Sequence, residues 1–224
     1  LPFNHENLKR NINSINWFVD FANILNPNDY FCLDSHINYN GGKILTFHIL
    51  NHIDKSLSLD LYNNLLIKGK NKRIIHKFDL LTPKNWSYSE EEKSKFNPTE
   101  DITIQIPSNL NDLSNDLPEE LKFDGVRKTE FFRNKESFSN KRALIFRDSS
   151  TNLLKWYFSF YFKEVIFYWD HGNLNKEIIS WFNPDIIIEL RTERLLDNIP
   201  TPTWVQDKIG VKNIPTIKNK NEIV

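Results

Sequence analysis

The residues whose types and order suggest chemistry are a serine at the end of an apolar run and an aspartate–histidine pair far upstream of it. Ala143-Leu144-Ile145-Phe146 leads into Arg147-Asp148-Ser149-Ser150, and Thr151 to Phe162 follows as an amphipathic, aromatic stretch. A serine placed where a strand gives way to a helix projects its hydroxyl toward a cleft. Helix-terminal N–H groups there can stabilise a developing oxyanion. Serine is a weak nucleophile alone and needs a base, itself oriented by a third group. Asp34-Ser35-His36 supplies both residue types. At i and i+2 on an extended segment their side chains share one side, so the carboxylate would fix the ring tautomer and stabilise the imidazolium. The same residues also fit a plainer reading, in which Ser149 or Ser150 caps the following helix and Asp34 caps or turns a loop.

Other polar residues follow apolar runs or flank these blocks. His171, in Asp170-His171-Gly172, is a second candidate base, and equally a substrate contact or a simple turn residue. Glu193-Arg194 suits a sugar hydroxyl or a carboxylate, and equally a structural ion pair. Arg147 and Asn38 are further candidates for substrate contact. His48 and His52 stand at i and i+4 on a helical stretch, but the glutamate of a metalloprotease motif is missing between them. Neither a metal nor a cofactor is expected.

These residues need elements to position them. Asn7 to Leu25 has helical spacing and ends at Asn26-Pro27. Tyr30 to Leu33 reads as extended, Asn38 to Gly42 as a turn, and Lys43 to Ile53 as a helix. Thr82 to Phe123, with four prolines and many charges, reads as an excursion over the surface. Within it Ile102, Ile104 and Ile106 alternate as in a half-buried strand. Toward the end, Ala143–Phe146, Glu164–Trp169 and Asp185–Leu190 are short, continuous apolar runs separated by helical stretches, the second of them over Asn173 to Phe182. Strand, helix, strand, helix, strand predicts two βαβ units and a mostly parallel sheet. Ligands gather at the carboxyl ends of such strands, which is where Ser149, His171 and Glu193 fall. The very aromatic helix before Phe162 is expected to pack in the core, being apolar on all sides.

Composition narrows the classes. The 224 residues carry 29 Lys+Arg and 29 Asp+Glu, a balance without the broad basic footprint that nucleic acid or an anionic membrane would require. A chain with 13% aromatic residues can bury a real core. Cys32 is the single cysteine, which excludes an intramolecular disulfide. No apolar run approaches the roughly 18 residues of a membrane span. The chain has no methionine and begins Leu1-Pro2-Phe3, so it is expected to be a fragment or a processed form.

Three blocks resemble one family. Asp34-Ser35-His36-Ile37-Asn38-Tyr39-Asn40-Gly41-Gly42 is similar to the D-T-H-W-N-x-x-G-A block of the SGNH-hydrolase-like polysaccharide O-acetyltransferases, the alginate acetylation proteins of the AlgJ and AlgX type and their DHHW relatives. Phe146-Arg147-Asp148-Ser149-Ser150 resembles the F-R-D-S-F block of the DHHW branch. Asn183-Pro184-Asp185-Ile186-Ile187-Ile188-Glu189 with Glu193-Arg194-Leu195 resembles the closing P-D-V-V-x-E…E-R-x-L. The resemblance implies a circularly permuted, three-layer αβα SGNH-like domain over 1–224, truncated at its N-terminus. It implies Ser149 as nucleophile, His36 as general base and Asp34 as orienting acid. It further implies O-acetyl transfer to, or ester hydrolysis on, an exported polysaccharide. A membrane acyl-donor protein would be a partner, and the location periplasmic, cell-surface or extracellular. Ile37 replaces the block's tryptophan and Ser150 the aromatic after the nucleophile. A catalytically silent glycan-binding or assembly component of a capsule or exopolysaccharide system is the alternative these departures raise.

Overall fold

The computed structural model describes residues 24–31, 36–77, 99–170 and 174–190. In chain order its elements are α1 (Tyr39–Ile53), α2 (Leu59–Ile67), β1 (Lys70–Lys77), β2 (Thr99–Ile106), β3 (Leu110–Asp112), β4 (Glu130–Asn134), β5 (Ser139–Arg147), α3 (Leu154–Tyr161), β6 (Phe162–Trp169), α4 (Lys176–Phe182) and β7 (Ile186–Glu189). β1 and β2 form an antiparallel ribbon, and the other five strands form one sheet in the order β3-β4-β6-β5-β7. The three apolar runs read as strands are β5, β6 and β7, parallel to one another.

The fold is thus α/β, but its sheet is mixed rather than mostly parallel, because β3-β4 and β4-β6 pair antiparallel. β4 escaped the sequence reading because Phe131-Phe132 is flanked by Glu130 and Arg133, too short a run to stand out. The chain leaves β4 in a turn whose Phe138 N–H donates to the Phe160 carbonyl, and β6 then occupies the gap between β4 and β5.

Strand alternation divides the core in two. Ala143, Ile145, Val165 and Phe167 face α1, α2, α3 and β2. Leu144, Phe146, Ile166 and Tyr168 face α4 together with Leu117, Leu121 and Leu174. α3 is buried at seven of its eight positions, lying between the sheet on one side and α1, α2 and β2 on the other. That enclosure accounts for its aromatic residues on every side, and core packing is their role. The excursion expected over Thr82 to Phe123 is anchored to this core from Thr99 onward: Ile102, Ile104 and Ile106 form the buried side of β2, and Leu117 and Leu121 cover the opposite face of the sheet. Residues 82–98 and the helix expected over Asn7 to Leu25, apart from its last residues, lie outside the described residues.

The connections set the site. β5 passes through α3 on one face to reach β6, and β6 passes through α4 on the other face to reach β7 on the far side of β5. Right-handed crossovers running in opposite directions require helices on opposite faces. The chain therefore leaves the carboxyl ends of the neighbours β5 and β6 toward opposite sides, the switch-point arrangement at which open α/β sheets bind ligands.

Candidate functional site

Arg147 and Trp169 are register partners at the last rung of β5 and β6, so the segments that follow them flank that switch point. After β5 comes buried Asp148, then a short 3-10 turn over Ser149–Thr151 in which the Asn152 N–H donates to the Ser149 carbonyl at 3.3 Å. The Thr151 hydroxyl donates to the Asp148 carbonyl at 3.2 Å, closing the elbow. Ser149 itself is half-buried. The capping alternative fails for Ser149: the N-cap of α3 is Leu153, with no side-chain cap hydrogen bond. Nothing is therefore drawn from its hydroxyl by the helix it precedes.

His36 comes from the approach to α1. The His36 carbonyl accepts from the Phe31 N–H at 3.2 Å, and Tyr30 and Ile37 form an isolated antiparallel bridge beside it. Asn38 then caps α1, its Oδ1 accepting from the N–H groups of Asn40 and Gly41 while its Nδ2 donates to the carbonyls of Asn28 and Tyr30. With both donors and both acceptor directions occupied, Asn38 is committed to the backbone of this approach. The helix starts at Tyr39, four residues before the Lys43 predicted, because this cap lies inside the segment read as a turn. Gly41 is needed there, since a Cβ would collide with the Asp29 backbone and the Ile37 side chain.

The first turns of α1 and α3 are in contact. A Cβ at Gly42 would stand 3.3 Å from the Tyr157 ring, with Leu153 and Leu154 next nearest, and the Tyr157 hydroxyl donates to the Tyr39 carbonyl at 2.9 Å. The fold thus brings together the start of the helix entered from His36 and the start of the helix entered from Ser149. No hydrogen bond joins the Ser149 hydroxyl to the His36 ring among the described residues. Asp34, His171, Glu193 and Arg194 lie outside the described residues.

Arg147 is enclosed, its residue only 2% exposed. Its guanidinium donates to Asn152 Oδ1 at 2.7 Å and to the Lys128 carbonyl at 3.0 Å, and lies 3.5 Å from the Glu130 carboxylate and 5.5 Å from the centre of the Trp169 ring. These contacts tie the elbow to the approach to β4. Glu130 also accepts from Lys155 at 2.6 Å. Burial lowers the pKa of both cations, and Glu130 opposes the shift in each. Sequence reasoning missed this cluster, since nothing in the spacing couples residue 130 to residues 147 and 155. Asp170, after β6, donates its N–H to the Arg147 carbonyl and accepts from the Asn175 N–H, so it braces the two strand ends against the approach to α4.

No family model and no curated protein matches the sequence. Among solved structures the chain is similar to a DHHW family protein from Eubacterium siraeum, at 14% identity over 72% of this chain and a TM-score of 0.46. It is also similar to PatB1 from Bacillus cereus, seen with and without a sulfonyl adduct, at 15% identity over 76% of this chain and a TM-score of 0.45 in each case. The chain spans 58%, 62% and 64% of those three chains, less than two thirds of each.

Proposed function

We propose that this chain is a serine-dependent acyl-transfer domain of permuted, three-layer SGNH-like architecture. Ser149 would attack the carbonyl of an acetyl ester while His36, oriented by Asp34, takes the hydroxyl proton. The proton then passes to the departing oxygen as the ester bond breaks and the acetyl-serine forms. A sugar hydroxyl of an exported or cell-surface polysaccharide, or water, takes the acetyl group in the second step, again with His36 accepting and returning the proton. A membrane protein would supply the acyl group. The Ser149 N–H is an oxyanion donor in this scheme.

The observation that carries the reading is the setting of Ser149. It stands half-buried on an elbow at the switch point of the sheet, relieved of any capping role, where the helix that follows the Asp34–His36 block packs on α3. Ser149→Ala is expected to lower turnover of a chromogenic acetyl ester by on the order of a thousandfold. An active-site-directed sulfonyl fluoride should label the wild type once, at Ser149. Unchanged turnover in the variant, or labelling elsewhere, removes Ser149 from the mechanism.

The silent reading has its own observation. Ile37 is buried and bridged to Tyr30, so no aromatic side chain is offered at that position for stacking a sugar. A wild type that retains polysaccharide but neither forms an acetyl-enzyme nor turns over esters would establish that reading instead.

A further inference from the structure

At the other end of the same strands, one row of side chains crosses three of them. Arg133 on β4, Glu164 on β6 and Arg142 on β5 are direct register partners, and all three point to the face that carries α4. The Glu164 carboxylate, 11% exposed, accepts from the Arg133 Nε at 2.7 Å and from the Arg142 Nε at 2.8 Å. α4 ends at Phe182, whose ring lies 4.4 Å under the Arg142 guanidinium, and it is too short to cover the row. What remains is an open groove of about 480 Å³ lined by the row, Lys163, Asp116 and Trp181.

The geometry of this groove suits one kind of ligand. Each arginine gives its Nε edge to Glu164, and a guanidinium has five N–H donors. The terminal nitrogens of Arg133 and one of Arg142 make no other hydrogen bond among the described residues; the other Arg142 nitrogen is 3.4 Å from the Asn183 carbonyl. Lys163 is exposed and forms no ion pair among the described residues, so three cations face two carboxylates and one positive charge is in excess. Trp181 is 42% exposed, stacked on Phe182 and perpendicular to the ring of Phe131. Its outer face is a fixed apolar plate beside fixed fork-shaped donors. A pyranose ring lays a flat C–H face on such a plate, and a carboxylate on that ring meets the guanidinium edges.

We propose that the groove between the Arg133–Glu164–Arg142 row and Trp181 binds a carboxylate-bearing sugar unit of an acidic oligosaccharide. This site lies at the amino ends of β5 and β6, away from Ser149, and does not depend on the acyl-transfer reading. Trigalacturonic acid titrated into 15N-labelled protein should move the Trp181 indole N–H resonance, identified with Trp181→Phe, to saturation. Followed at that resonance, Arg142→Gln and Lys163→Gln should each weaken binding about tenfold, as should Trp181→Ala followed by calorimetric titration; neutral maltotriose should bind at least tenfold more weakly, and Ser149→Ala should bind as the wild type does. Lys163 and Trp181 make no bond to Glu164, so their variants keep the test decisive should Arg142→Gln fail to fold. Equal binding of maltotriose, undiminished binding by the Lys163 and Trp181 variants, or tighter displacement of the same resonance by a hexa-aspartate peptide would each overturn the proposal.

Discussion

Glu130 holds two enclosed cations at once, accepting from Lys155 and facing Arg147, with little water to share the load. Replacing it by an amide of the same shape removes the countercharge and leaves both cations in place. Glu130→Gln is expected to cost about 3 kcal/mol, read from the midpoint of urea unfolding, because an orphaned buried charge is worse than no pair at all. A midpoint within a few tenths of a molar of the wild type would mean that solvent reaches the cluster. At the end of α1, Asp54 shows the opposite situation. Its carboxylate accepts from Ser56 and from the Tyr161 hydroxyl, and these bonds hold its pKa below the ordinary value. A carboxyl depressed in the folded state stabilises the fold above its unfolded pKa, and that contribution disappears as pH falls through the folded value. Tyr161→Phe should therefore raise the Asp54 pKa in an NMR titration and flatten the acid limb of the stability profile between about pH 5 and 2. An unmoved Asp54 would assign the depression to Ser56 and the charge of Lys141.

Among the elements, α1 shows how a short segment can serve two purposes. Asn38 satisfies two N–H groups of the first turn and also binds the carbonyls of Asn28 and Tyr30, so it fixes the strand-like approach on which His36 rides. Asn38→Ala should destabilise the protein by about 1–2 kcal/mol, measured by thermal or urea unfolding. If Ser149 and His36 act together, the same variant should lower kcat more than it raises KM, since the base loses its anchor while the substrate does not. The helix itself was legible from the spacing of Ile44, Phe47, His48 and Leu50, although the large apolar side chains it buries are Leu45, Ile49 and Leu50; its starting residue was not, because an Asn-Tyr-Asn-Gly-Gly string reads equally well as a turn. α2 and β1 left no comparable trace. The Leu59–Ile67 helix has an isolated pair of buried residues, and half of the Lys70–Lys77 strand is charged, so that it gains its place by pairing with β2.

At the scale of the molecule, the parallel part of the sheet could be read directly, because strands covered on both faces must be continuous apolar runs, as β5 and β6 are. The antiparallel part could not, because β4 offers only Phe131-Phe132 between charged neighbours and β3 is three residues long with none of them buried. The location of Ser149 at a strand end was legible for the same reason as the strand. The burial of Arg147 and the commitment of Asn38 were not, since an arginine or asparagine beside a catalytic motif looks the same in one dimension whether it faces ligand or backbone.

One junction constrains what variation the fold tolerates. The Phe162 N–H still donates to the Phe158 carbonyl, closing α3, while its Cα is already opposite Ser139 in the ladder of β6 and β5. No spacer absorbs a change in length between the two elements. One inserted residue would turn the strand over, exchanging Val165 and Phe167 for Ile166 and Tyr168 beneath α3. Insertions and deletions are therefore confined to the segments before Leu154 and after Trp169, and the span between them can drift in side chains but not in number.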